Sequence, residues 1–178
     1  NWLFERLFVP TFLAPGGHSQ RQMNWLREKL FTACGIKQKS LGERRLYISR
    51  DDVETRNILN EAKVLDLLKS YNFEVVVPGR LPLREQIGLF NEAGIICGPG
   101  GSGMTNHIFA PMGASLIEMQ PDTYINRAHW FSSNLRRQNY MFVIGASETE
   151  YHDYSVSLPK LKLAIEMAIV NLSSRSDI

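Results

Sequence analysis

The chain has 178 residues, is 44% apolar and 10% aromatic, and carries a formal net charge of +2. That length is most simply one domain able to bury a proper core. The small, evenly spread charge does not call for a polyelectrolyte partner such as nucleic acid, and no apolar run approaches membrane-spanning length or reads as a signal peptide.

The first forty residues stand apart. Trp2, Leu3, Phe4, Leu7, Phe8 and Val9 form an apolar cluster that ends at Pro10, and Pro15-Gly16-Gly17 is a loop. Ser19 can cap a helix with Met23, Leu26 and Leu30 on one face. Residues 1–40 therefore read as an arm and connecting helix, and 41–178 as the domain proper. Beginning at Asn1 rather than Met, the chain reads as a processed product or part of a longer one. An uncovered apolar arm is expected to self-associate or swap.

From residue 45 onward strands and helices alternate. A strand over 45–49 leads to a helix over 53–71, with Ile58, Ala62, Leu65 and Leu68 on one face and Asn72 suited to its C-cap. A strand over 73–77 stops at Pro78-Gly79, and Leu83, Ile87 and Phe90 mark the next helix. Gly94 to Cys97 is a third strand, and residues 104–110 allow one or two helical turns before Pro111. Strands at 115–119 and 140–144 flank a helix over 128–137, and Leu161, Ile165, Ala168 and Leu172 give a closing amphipathic helix. This alternation predicts an α/β fold, a Rossmann-like open and mostly parallel sheet flanked by helices. Ligands of such sheets sit at the carboxyl ends of strands where strand order reverses. Cys34 and Cys97 are expected to be free thiols, Cys97 buried in its strand, which suits a reducing compartment.

The stretch from Gly98 to Asn106, Gly-Pro-Gly-Gly-Ser-Gly-Met-Thr-Asn, carries the chemistry. Strand, glycine-rich loop and helix start bring free N–H groups and a positive helix end to one spot, which suits a phosphate or diphosphate. Gly100, Gly101, Ser102, Gly103, Met104, Thr105 and Asn106 are the candidate diphosphate-binding residues. Arg50 and Ser49 join them from the end of the first strand, where a guanidinium can fork onto phosphate. The plainer alternatives are an Arg50 paired with Asp51 or Asp52, a Ser49 or Thr105 that only caps, a salt-bridging Arg56, and a Gln86 that serves structure. Gly98, Gly100 and Gly103 also satisfy a dinucleotide fingerprint, with Glu118 placed to accept ribose hydroxyls. The loop follows the third strand rather than the first, which counts against NAD. No metal is expected: Asp51 and Asp52 are adjacent and diverge, and His18 and His107 lack ligand spacing. Tyr124 to Trp130 could cover a base or sugar, but aromatic core is the plainer reading.

Arg45-Leu46-Tyr47-Ile48-Ser49-Arg50, Arg56, Asn60-Glu61, Phe73-Glu74-Val75-Val76, Glu85-Gln86 and Phe90 occur in that order. Gly98 to Asn106, Phe109, Gly113 and Ile117-Glu118 follow. The ordered set, over roughly 44–145, resembles the C-terminal half of glycosyltransferase family 61. That family includes capsular-polysaccharide enzymes of bacteria and xylosyl- and N-acetylglucosaminyl-transferases of eukaryotes. The resemblance implies the nucleotide-sugar-binding lobe of a two-lobed GT-B-type enzyme, usually inverting, which moves a sugar from a nucleotide-diphosphate donor to an acceptor hydroxyl. The donor expected is UDP-linked, with no further cofactor, and the other partner is a glycan or polysaccharide acceptor. The catalytic residues stay unassigned, the base being expected in an N-terminal lobe. The expected location is cytoplasmic, with a membrane-peripheral or secretory-pathway place left open. The chain departs from the family's Gly-Pro-His-Gly-Ala-Gly loop at Gly100, where the His would stand, and at Ser102. Two other functions are weighed beside transfer: a non-catalytic nucleotide-binding module or degenerate lobe, and an NAD-dependent oxidoreductase.

Overall fold

The computed structural model describes residues 19–51 and 53–176. The apolar arm at Trp2 to Val9, the Pro15–Gly17 loop and His18 lie outside the described residues. Strands β1 (Arg44–Ile48), β2 (Glu74–Val76), β3 (Ala93–Pro99), β4 (Ser115–Pro121) and β5 (Asn139–Ser147) run parallel in the order β2-β1-β3-β4-β5. A two-residue β6 (Tyr154–Ser155) closes the far edge antiparallel to β5. The expected α/β class and parallel sheet are therefore present. The chain steps from β1 out to β2 and back across to β3, so strand order reverses between β1 and β3.

Helices cover both faces. Helices α2 (Glu61–Ser70) and α5 (Leu158–Ser176) bury Val64, Leu68, Leu161 and Ile165 against Tyr47, Ile95, Cys97 and Ile117. On the opposite face, α1 (Gln20–Cys34), α3 (Leu83–Asn91) and a 3-10 helix (Ser102–Phe109) bury Phe31, Ile87, Phe90 and Met104 against Leu46, Ile48, Ile96 and Leu116. Successive β3 residues serve opposite cores, so that strand is apolar throughout rather than alternating. Cys97 is buried and free, and Cys34 is free, as expected; burial pushes the Cys97 thiol well above its ordinary range. No described helix is long and apolar enough to cross a membrane.

One helix boundary differs by more than two residues from the sequence expectation. The helix read as starting at 53 begins at Glu61. Residues 56–60 are claimed by a distant partner instead. Arg56 N–H reaches Tyr151 O at 3.1 Å, Leu59 N–H reaches Tyr154 O at 2.9 Å, and Tyr154 N–H reaches Asn57 O at 3.0 Å. The Asn60 amide closes the pair, accepting from Val156 N–H and donating to Val156 O, both at 2.9 Å. Ile58 has helical spacing but is buried as a bridge partner of Tyr154. The turns after the glycine loop are 3-10 rather than α.

Left-handed non-glycine residues end two of the described helices. Asn72 (φ 59°) follows α2, where Phe73 N–H bonds Leu68 O at 3.1 Å and Asn72 N–H bonds Lys69 O at 3.0 Å. The same pattern ends α4 (Ala128–Leu135): Gln138 N–H bonds Ser133 O at 2.9 Å, and Arg137 has φ 51°. An exposed arginine held there is strained where glycine is not. Arg137→Gly should therefore stabilise the fold by about 0.5–1 kcal/mol. A urea denaturation midpoint that falls instead would show that the arginine's backbone conformation is not costly.

Candidate functional site

The carboxyl ends of β1 and β3 deliver Arg50 and the glycine loop to the same place, the reversal point of strand order. The Arg50 guanidinium approaches Gly100 O at 3.4 Å and donates to Thr55 O at 3.1 Å. It lies across the α-carbon of Gly101, and a β-carbon there would collide with Nη1. Of its two possible salt-bridge partners, Asp51 is bonded to Arg80 at 3.0 Å and Asp52 lies outside the described residues. Gly100 N–H is used in the sheet, donating to Met119 O at 2.9 Å, and Met104 N–H donates to Gly101 O at 3.0 Å. Met104 is thus the first amide bonded in the manner of the helix, and those of Ser102 and Gly103 precede it.

A cavity of about 280 Å³ opens on this loop. Gly100, Gly101, Ser102, Thr105 and Glu118 line it, as does Arg56. Arg56 adopts φ 58°, stacks on the Tyr124 ring at 4.9 Å, and has no carboxylate within salt-bridge reach among the described residues. Arg56, expected to be salt-bridging, stands in the cavity wall. Strain of this kind in a non-glycine residue gathers at functional sites.

Other candidates fall outside the wall. Ser49 Oγ accepts Asp51 N–H at 3.3 Å, a local turn contact. Met104 is buried in the core, with its sulfur against Gly98. Gly103 faces Ile48 and Pro78. Asn106 donates to Gln86 Oε1 at 2.8 Å, so its side chain turns to α3 and both amides serve structure. The 3-10 rise explains this: at three residues per turn, only Ser102 and Thr105 of that helix face the cavity.

Glu118 is fully buried within β4, three residues before its end, rather than closing the strand. Its Oε2 accepts the Tyr140 hydroxyl at 2.6 Å and its Oε1 lies 2.7 Å from His129 Nδ1. The oxygens read as taking ribose hydroxyls are thus engaged by the protein. His129 also lines the cavity, with Nε2 3.4 Å from Thr105 Oγ1. Its ring meets His107 edge-on, centroids 5.9 Å apart, and His107 is held by Gln138 at 2.6 Å and Ser132 at 2.7 Å. Nothing in the sequence singles out His129. It reaches Glu118 because Gln120 clasps Asn126 by two bonds of 2.7 and 2.9 Å and fixes the turn into α4. The aromatic residues around it are not core, since Tyr124 and Trp130 are both exposed. Among the described residues no group of three or more potential metal ligands occurs.

The model of one protein family, described as Glycosyltransferase 61, matches residues 3–125. No curated protein matches the chain. The matched stretch takes in Arg50, Arg56, the glycine loop and Glu118, and ends before His129.

Proposed function

The chain belongs to glycosyltransferase family 61, whose model spans more than half of it, and from that premise we propose that this domain binds a nucleotide-diphosphate sugar, UDP-linked, at the glycine-loop cavity. The sugar passes to an acceptor hydroxyl in glycan or polysaccharide synthesis. The observation that supports this is the convergence of Arg50, the loop residues Gly100, Gly101 and Ser102, and Arg56 where strand order reverses, the place such sheets offer a ligand. The acceptor oxygen attacks the anomeric carbon, the bond to phosphate breaks, and the diphosphate departs with the electron pair. Arg50 and Arg56 face the charge that grows on it, a stabilisation strongest in the transition state. The domain would act as one lobe of a GT-B-type pair. The base that takes the acceptor's proton is assigned to the other lobe.

Calorimetry with UDP, NAD and uridine tests the reading. UDP should bind more tightly than NAD. Arg50→Ala should weaken UDP by about 1.5–3 kcal/mol, as loss of a charge-assisted contact, and leave uridine unchanged. Tighter NAD binding, or equal losses for UDP and uridine, would overturn it.

A further inference from the structure

We propose that His129 is a diphosphate-binding residue of this donor site, reaching from α4 into the place that the glycine loop leaves open at Gly100; this inference rests on the donor-site reading above. A β-carbon added to Gly100 would stand 2.8 Å from Glu118 Oε1. That is the same oxygen His129 Nδ1 holds at 2.7 Å. A side chain on the loop and the His129 ring therefore compete for one carboxylate, and in this chain the imidazole comes from α4. Gly100 does not have a left-handed backbone, so the reason for glycine there is the room it leaves.

Proton positions follow from the partners. Burial and Glu118 push the Tyr140 hydroxyl well above its ordinary range, so it keeps its proton and donates to Oε2. The carboxylate accepts on both oxygens, which puts a proton on His129 Nδ1. Nε2 is then aimed at the cavity beside Thr105. A phosphate oxygen entering from the glycine loop meets the ring at Nε2, and Glu118 fixes that ring from Nδ1. The sign of the Glu118 contribution is decisive. Without the ring between them, the buried Glu118 carboxylate would face an anion in the cavity and repel it.

Binding of UDP, uridine and inorganic pyrophosphate by the whole chain and by His129→Gln decides the matter, since glutamine can still donate to Glu118. The variant should bind UDP about 10- to 100-fold more weakly. Its affinity for uridine and its melting temperature should hold. Adding Glu118→Gln to His129→Gln should regain part of the lost affinity, because the uncompensated charge is gone. A folded variant that binds UDP within about threefold of the parent overturns the proposal, as does an equal loss for uridine. The parent protein supplies a measurement that needs no variant: the ¹⁵N resonance of His129 Nε2 should shift on saturation with pyrophosphate, and an unmoved resonance also overturns it. Failure of the parent to bind UDP sinks the donor-site reading itself; UDP binding left intact by His129→Gln sinks only the role of His129.

Discussion

Tyr154→Ala should cost the folded state about 3–5 kcal/mol, the range for emptying a buried aromatic site. The ring is fully buried with Tyr47, Met119 and Leu161, and it fills the space beside Gly145, where a β-carbon would strike it. Its backbone binds Asn57 and Leu59, so the loss spreads into the segment that carries Arg56. Tyr154→Phe should be far milder, about 1 kcal/mol, since only the hydroxyl bond is lost. The acceptor of that bond, Met119 O at 2.9 Å, also accepts Gly100 N–H and is not left bare. Urea denaturation of the two variants separates the effects. Equal losses would mean that the hydroxyl, not the packed ring, holds this edge of the sheet.

Gly101→Ala should abolish most of the diphosphate affinity while sparing the fold. The added methyl takes the volume now crossed by the Arg50 guanidinium, whose Cζ would stand 3.2 Å away. A long side chain can swing aside, so stability changes little, but the cation leaves the loop and the methyl stands where phosphate must approach the backbone. Both losses act on the same ligand, and together they should reach on the order of 3 kcal/mol for UDP, at least matching Arg50→Ala. Uridine should be unaffected. UDP affinity close to that of the parent would show that the phosphates do not rest against Gly101, and would move the diphosphate off the loop.

The strands and the glycine loop were legible because local chemistry dictates them. Ile95, Ile96 and Cys97 have no polar face to present, and the glycines that follow Pro99 let the chain leave the sheet without starting an ordinary helix. Arg50 was legible for the same reason, as the residue that follows an apolar strand. The start of α2 was not. Helical spacing through Ile58 was satisfied by chance, and the competing partner, residues 151–156, lies far along the chain. The side-chain directions of Met104 and Asn106, into the core and toward α3, were not legible, because a 3-10 rise turns successive residues differently from an α-helix. His129 was invisible because its partner depends on the register between α4 and β4. A two-bond clasp between Gln120 and Asn126 sets that register, and no local pattern announces it. The ring's place beside Glu118 belongs to tertiary structure alone.

The clasp between Asn60 and Val156 joins residues 96 apart in sequence. Contacts of that span form late, because the entropy of closing so long a loop must be met before they hold. During synthesis, β1, β3 and the glycine loop can be packed while residues 151–156 have yet to emerge from the ribosome. At that stage the loop is present but Arg56 has nothing to fix it over Tyr124. The Arg56 wall of the cavity is therefore expected to form after the loop. In a stopped-flow refolding experiment, recovery of UDP binding should lag behind recovery of the far-UV circular dichroism signal.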